Sequence, residues 1–327
     1  MASTNHPLSK KETLSTRNIR RAIIIVGVLL LIVIAAFSAY YYWDRFWPRG
    51  EQSPVESAIQ EAEQAVRENP QDPELRLALS RIYYENRMYP EALDHAKQVL
   101  SVAPDSENAL LIAGLSNIRL SQPADAIPLL ERFIDLRKNS AVARSDMLLE
   151  LAYYFVGESY VKLGQHAQAI PPLQAALQIT PTDADALYQL GLAHQALGQC
   201  DEALENYQKA VRLVPDFTEA YQAMADCYAA QNKPGLVKYA QGMQAFGKKD
   251  YSAAKTLLMD AVQNLPDYVP ALLGLGLTYE KLGDFNAAQE VLKQAMMRDP
   301  HDLAVRQALG RVQSSLDVLK SQEKSEQ

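Results

Sequence analysis

Hydrophobic residues follow two different patterns along the chain. From Ala22 to Trp43 there are 22 residues without a charge, and they are apolar on every side of a helix. From residue 54 onward, apolar residues instead recur at intervals of three, four and seven, with polar residues between them. The first pattern predicts one long apolar helix, and the second predicts a series of amphipathic helices. The chain is therefore predicted to be all-α.

The apolar segment 22–43 is long enough to cross a membrane, because a helix of that length spans roughly 33 Å. Basic residues are more frequent before it than after it: Lys10, Lys11, Arg17, Arg20 and Arg21 precede it, and Arg45 and Arg49 follow. This bias predicts a cytoplasmic tail at 1–21 and places the chain after Trp47 on the opposite side. An interfacial aromatic belt is predicted from Tyr40, Tyr41, Tyr42, Trp43, Phe46 and Trp47.

A cleaved signal peptide is the alternative interpretation of this segment. Ala36-Phe37-Ser38 offers small residues at the spacing that signal peptidase recognises. The apolar run is longer than a usual signal core, however, and an aromatic belt has a use only if the segment is retained. We therefore expect a single-pass anchor, with the rest of the chain extracytoplasmic, on the periplasmic side of a bacterial inner membrane. Cleavage would instead give a secreted protein.

The amphipathic part of the chain repeats with a period of 34 residues. Prolines 34 apart mark it: Pro70 and Pro104, Pro181 and Pro215, Pro266 and Pro300. Between them the repeat 184–217 places Leu190-Gly191, a turn at Gly198, then Ala203, Tyr207 and Ala210. Each repeat therefore reads as two amphipathic helices that approach closely through small residues, and neighbouring pairs must stack to bury their apolar faces.

These small, large and proline positions resemble those of the tetratricopeptide-repeat family. The resemblance implies a right-handed solenoid of antiparallel helix pairs, whose first helices line a concave groove that holds a protein or peptide. The sequence departs from the pattern in having no Trp at the first large position and Lys138 in place of a proline. The predicted groove residues are Leu77, Arg81, Tyr84, Leu111, Leu115, Tyr154, Phe155, Glu158, Tyr188, Leu192 and Gln195. Several of them are alternatively expected only to pack helix against helix.

Two irregular spacings divide the predicted domains. The nine surplus residues at 141–149 are expected to extend the helix that enters the repeat 150–183. Asn232-Lys233-Pro234-Gly235 is expected to interrupt the helical pattern. The first array, 54–232, is predicted to hold a leading helix at 54–68, repeats at 73–106, 107–140, 150–183 and 184–217, and an unpaired capping helix at 218–231. The second array, 235–320, is predicted to hold repeats at 235–268 and 269–302 and a closing helix at 303–320. A linker at 44–53 and a disordered tail at 321–327 complete the chain.

Charge and composition narrow the function. The formal net charge is −7, but residues 1–21 carry +4 and residues 50–327 carry −12. Such an acidic body disfavours nucleic acid as a partner. The histidines and two cysteines lack metal-ligand spacing, and no P-loop, nucleophile elbow or dinucleotide fingerprint occurs, so neither an enzyme nor a cofactor is expected. Cys200 and Cys227 are predicted to lie on adjacent helices as packed free thiols, and a disulfide between them is the alternative.

Two classes of function remain. The first is a membrane-anchored scaffold or assembly factor that presents the groove to a protein partner. The second is a structural subunit of a larger envelope complex, in which the array itself is buried.

Overall fold

A computed structural model describes residues 11–46 and 53–325. The chain divides into two compact units, Met1–Glu61 and Ala62–Gln327. The first unit is dominated by α1 (Lys11–Phe46), a helix longer than the predicted span 22–43. Within it, none of the residues Val26–Trp43 is buried, and Phe37 is 70% exposed. This helix is long and apolar enough to cross a membrane, a property that membrane spans and signal sequences share. Residues 1–10 of the predicted tail and 47–52 of the linker, including Trp47 of the belt, lie outside the described residues.

From residue 73 onward, the second unit is a stack of antiparallel helices, each packed on the next. This arrangement confirms the predicted all-α solenoid, and the described residues contain no strand. The helices after α1 are α2 (Pro54–Glu68), α3 (Pro73–Glu85), α4 (Tyr89–Val102), α5 (Glu107–Arg119), α6 (Pro123–Arg137), α7 (Met147–Lys162), α8 (His166–Ile179), α9 (Ala184–Ala196), α10 (Cys200–Leu213), α11 (Thr218–Ala230), α12 (Pro234–Gly247), α13 (Tyr251–Asn264), α14 (Val269–Leu282), α15 (Phe285–Arg298) and α16 (Leu303–Ser325).

Capping side chains fix where many of these helices begin. Asp72 and Asp183 accept hydrogen bonds from backbone N–H groups in the first turns of α3 and α9, at distances of 2.8 to 3.4 Å. Asp250 and Asp284 cap α13 and α15 in the same way. Each cap satisfies a donor that has no partner inside its helix, so the turns between helices are short and fixed.

Glycines hold the two helices of a repeat close together. A Cβ atom on Gly114, Gly157, Gly191 or Gly276 would lie 2.4 to 2.6 Å from a side chain of the following helix. The side chains in question are Leu130, Leu173, Tyr207 and Leu292, each of them 16 residues further on. Those four side chains are fully buried, so the core of each repeat forms where the backbone of the first helix leaves room for it.

Of the surplus residues 141–149, only 147–149 extend the following helix as predicted. A short 3-10 turn (Ala143–Ser145) occupies the segment, and α7 begins only at Met147. Asp146 sets the start of α7, because its carboxylate accepts hydrogen bonds from the N–H groups of Leu148 and Leu149. The same carboxylate pairs with Arg137 at 2.7 Å, which fastens the segment to α6.

The helix at 218–231 is not unpaired in the structure. α12 packs against α11 on one side and against α13 on the other, so it acts as partner of both. Tyr239, Ala240 and Met243 of α12 are buried in the same core as Tyr221 and Met224 of α11. The division into arrays at 54–232 and 235–320 stays a prediction about how the chain unfolds. The closing helix continues to Ser325, beyond the predicted end at 320, and residues 326–327 of the predicted tail lie outside the described residues.

Candidate functional site

The first helices of successive repeats contact one another, α3 with α5, α5 with α7, α7 with α9 and α9 with α11. Their shared surface is called the groove here. At its start, a cleft of about 290 Å³ lies between α3 and α5. Leu77, Arg81 and Leu111, all predicted groove residues, line it together with Glu74 and Asn108. Its charges therefore include one acidic and one basic group.

A second cleft, of about 380 Å³, lies further along the groove between α9 and α11. It brings together three predicted groove residues, Tyr188, Leu192 and Gln195. Opposite them, α11 contributes Glu219, Gln222 and Asp226, which were not among the predicted residues. These six residues are called the acidic cleft below.

The remaining predicted groove residues lie between the two clefts or beneath them. Tyr154 and Phe155 on α7 pack edge to face at 5.1 Å, and the guanidinium of Arg119 lies 6.0 Å from the Phe155 ring. Tyr84 packs against Tyr89 at 5.5 Å. Leu115 is buried in the core beside Leu111, so its contribution is packing between helices.

Negative charge accumulates along the middle of the groove. Glu158 of α7 is largely buried and pairs with Lys162 at 2.9 Å. Burial raises the pKa of the neighbouring Asp185, and the charges of Asp183 and Glu158 raise it further. The pKa of Tyr188 is raised by burial and by the charge of Glu219, which places that carboxylate near the ring. Unlike the first cleft, this stretch of the groove carries several carboxylates.

The residues that sequence reasoning missed obey the 34-residue period. Glu219, Gln222 and Asp226 follow Asp185, Tyr188 and Leu192 by 34 positions each. Treating 218–231 as a terminal cap excluded its groove-facing positions. The period itself was the signal that would have found them.

Two carboxyl groups meet beneath this surface, where α7 packs against α9. Glu150 is buried, and its Oε1 atom has no hydrogen-bond partner. Burial, together with the adjacent Asp183, the cap of α9, raises the pKa of Glu150 to about 7. Glu150 is therefore stable in this position mainly in its protonated form.

We expect replacing Glu150 with glutamine to remove a pH-dependent loss of stability. The pKa of Glu150 is higher in the folded chain than its ordinary 4.5, so its contribution to stability falls as pH rises from about 4.5 to about 7 and stays lost above. Glu150→Gln should leave stability at pH 5 nearly unchanged and raise it at pH 8 by about 2 kcal/mol. Urea unfolding at both pH values measures this, with the exposed Glu290→Gln as control. An equal effect at the two pH values would contradict the assignment.

The two cysteines lie side by side, as the packing of α10 and α11 predicts. Cys227 is buried and Cys200 partly exposed, and both are free thiols. Burial, together with the neighbouring Cys200, raises the pKa of the Cys227 thiol to about 12. Cys227 is therefore a poor nucleophile. No cluster of His, Cys, Asp and Glu among the described residues is arranged to hold a metal ion.

Comparison with known proteins gives the repeat type. Models of the tetratricopeptide repeat match residues 54–115 and 245–312, and also 184–217, and a related repeat model matches 157–198. Together these matches cover more than half of the chain. They confirm the predicted repeat type.

Curated relatives share the repeats over part of their length. Superkiller complex protein 3 of Mus musculus is 35% identical over 127 residues, which is 39% of this chain and 7% of the relative. Cellulose synthase 1 operon protein C of Komagataeibacter xylinus is 23% identical over 262 residues, 76% of this chain and 19% of the relative. The chain thus spans a small fraction of the curated relatives it matches.

Two solved structures are similar to parts of this chain. A crystal structure of MamA is 25% identical, with a TM-score of 0.48, and the match covers 53% of this chain and 96% of MamA. YrrB, described as a tetratricopeptide-repeat protein with an unusual peptide-binding site, is 21% identical with a TM-score of 0.47; the match covers 65% of this chain and 97% of YrrB.

Proposed function

Because the chain carries tetratricopeptide repeats, which mediate protein–protein interactions, we propose that it is a membrane-anchored scaffold or assembly factor. In this proposal α1 holds the chain in the bilayer, and the groove of the repeat unit binds a protein or peptide on the extracytoplasmic side. The chain performs no catalysis, takes no cofactor and binds no nucleic acid. The observation that carries the proposal is the groove itself, where two clefts lie between adjacent first helices and predicted groove residues line both.

The side chains of the groove are more exposed to solvent than those of the core beneath it. Leu77, Tyr188 and Leu192 are half-buried, although neighbouring Leu79, Leu187 and Leu190 are buried. Half-buried apolar and aromatic side chains beside polar ones are the composition of a protein-binding surface. The concave face of stacked repeats supplies such a surface over a long distance, which suits an extended or helical segment of a partner.

Photo-crosslinking from both faces of the repeats tests this function. A p-benzoylphenylalanine residue at Leu77 or Tyr188 in the groove should capture one discrete partner in intact membranes. The same residue at Glu91 or Glu205, exposed on second helices, should capture little. Crosslinking from all four positions would instead favour a structural subunit surrounded by a larger complex. No crosslink from the groove, with the protein present at its normal level, would contradict the proposal.

The proposed orientation in the membrane has its own test. Alkaline phosphatase fused after Gln327 is expected to be active in a bacterial host, because that reporter folds only after export. Fused after Arg21, before the apolar segment, it is expected to be inactive. A bright cytoplasmic fluorescent protein at Gln327, with inactive phosphatase at the same point, would reverse the orientation. Recovery of the full-length chain from membranes after a salt wash distinguishes an anchor from a cleaved signal sequence.

A further inference from the structure

The acidic cleft differs from the rest of the groove in the charges that line it. Glu219 and Asp226 are two of its residues, and among the described residues that line it there is no Lys or Arg. In the described part of the chain, neither carboxylate makes an ion pair. The cleft at the start of the groove contains Arg81 beside Glu74, so the excess of negative charge is local to the acidic cleft.

Hydrogen bonds hold the two carboxylates in place without neutralising them. The Thr218 hydroxyl donates to Glu219 at 2.9 Å, and the Gln222 amide donates to Asp226 at 2.9 Å. Gln222 is itself oriented, because its carbonyl accepts a hydrogen bond from Gln244 of α12 at 3.0 Å. Both charges are therefore fixed on the groove side of α11 and lack a cation.

The opposite wall of the cleft is apolar. Leu192 and the ring of Tyr188 face the carboxylates from α9, and Tyr188 is held by Phe217 at 5.0 Å between ring centres. An arginine or lysine side chain combines an aliphatic stem with a terminal charge, so it fits a site that is apolar on one side and acidic on the other. The ring of Tyr188 also offers a face to a cation.

We propose that the acidic cleft binds a basic segment of the protein partner, with its arginine or lysine side chains lying along Leu192 and Tyr188 and their charges at Glu219 and Asp226. The inference rests on the proposed function of the groove and specifies its partner. Glu219 and Asp226 are seven residues apart on one helix, about 10 Å along its axis, so each takes its own cation. In a partner segment with polyproline II geometry, which has three residues per turn, residues three apart lie on the same face and are separated by about 9 Å.

The surroundings add to the selectivity for positive charge. Residues 50–327 carry a net charge of −12, and Glu158 and Asp185 lie on α7 and α9, which precede α11 in the same groove. An acidic surface of this kind attracts cationic segments and repels anionic ones over a distance set by the salt concentration. Lys162 on α7 is already paired with Glu158, and the lining of this cleft also includes the imidazole of His166.

Two labelled peptides test the proposal on the full chain in a non-ionic detergent. The first is Ala-Leu-Arg-Ala-Leu-Arg-Leu-Ala with blocked ends, which places its arginines three residues apart. The second replaces both arginines with citrulline, which has the same shape but no charge. Fluorescence anisotropy at low salt should show at least 10-fold tighter binding of the arginine peptide, and the difference should shrink at high salt.

Matched variants locate the effect. The double variant Glu219→Gln, Asp226→Asn should abolish the preference for arginine while leaving binding of the citrulline peptide unchanged. Glu68→Gln with Glu290→Gln removes the same charge at exposed sites outside the groove and should keep the preference. Equal signals from the two peptides, whether both bind or neither does, would overturn the inference, as would a preference that survives in the cleft variant. The crosslinks from Leu77 and Tyr188 would still decide the proposed function.

Discussion

Replacing Tyr239 with alanine is expected to lower the free energy of unfolding by about 4 kcal/mol, the usual range for removing a buried aromatic ring. Tyr239 lies on α12 and is 6% exposed. Its ring packs edge to face with Tyr221 of α11 at 6.3 Å and with Tyr268, the cap of α14, at 5.1 Å. One side chain therefore joins three helices at the position where the sequence breaks its period.

A variant that lacks only the Tyr239 hydroxyl distinguishes the contribution of ring packing to stability from that of polar contacts. Burial raises the pKa of Tyr239 far above its usual range, and its hydroxyl lies beside that of Tyr221. Tyr239→Phe keeps the ring and loses the hydroxyl, so it should cost about 1 kcal/mol. Urea unfolding of the full chain in detergent, followed by circular dichroism, measures both variants. Equal and small costs for the two would show that the ring is not packed as described.

The same alanine variant tests the predicted division of the array. Without the Tyr239 ring, α12 packs less tightly on α11, and α12 should become sensitive to trypsin at Lys238, since trypsin does not cut the Lys233–Pro234 bond. Two fragments of unequal stability would support the prediction of separate arrays at 54–232 and 235–320. A wild-type chain that resists cleavage and a variant that unfolds in one step would show instead that α12 makes the stack continuous.

Replacing Gly191 with alanine should cost about 2 to 3 kcal/mol, although alanine is the better helix former. The added Cβ atom would lie 2.4 Å from Cε1 of Tyr207 and 2.6 Å from its Cδ1. Tyr207 has no room to move, because it is fully buried and its hydroxyl donates to Gln195 at 2.6 Å. The variant must therefore separate α9 from α10.

A glycine in an open position provides the matched control for Gly191. Gly310 lies on α16, and no atom comes within 4 Å of the position that a Cβ would take there, so Gly310→Ala should raise stability by up to about 1 kcal/mol. Thermal and urea unfolding compare the two variants directly. Because α9 carries Tyr188, Leu192 and Gln195, Gly191→Ala should also weaken peptide binding in the acidic cleft. Opposite signs for the two glycines are the expected result, and a stabilised Gly191→Ala would refute the packing argument.

The repeat and most of its helices could be predicted from the sequence, because the contacts that define them join residues that are close together in the chain. Gly114, Gly157, Gly191 and Gly276 each meet a side chain 16 residues later, within a single helix pair. Such contacts depend on helical periodicity and on small residues opposite large ones, both of which are visible in a single chain. The predicted groove residues that line the two clefts were predicted from the same periodicity: Leu77, Arg81, Leu111, Tyr188, Leu192 and Gln195.

Sequence reasoning failed where a short polar residue overrode the helical pattern. Residues 141–149 favour a helix by composition, yet Asp146 caps α7 and pairs with Arg137 of α6. A carboxylate that can bind both a cation and free backbone N–H groups stabilises the fold more at the start of a helix than inside a helix. The backbone partners of Asp146, Leu148 and Leu149, follow directly in the sequence, but its pairing with Arg137 depends on how α6 packs.

The sequence by itself determined the apolar segment 22–43, the 34-residue period, the helix pairs and the first helices as the face predicted to meet a partner. Only the tertiary structure decided that α12 packs against both α11 and α13 and that Glu150 lies beside Asp183. It also decided that Glu219 and Asp226 face Leu192 across one cleft. The physical reason is the range of the interactions. Periodicity determines which face of a helix is apolar. The packing of whole helices determines which faces contact each other and which charged side chains have no counterion.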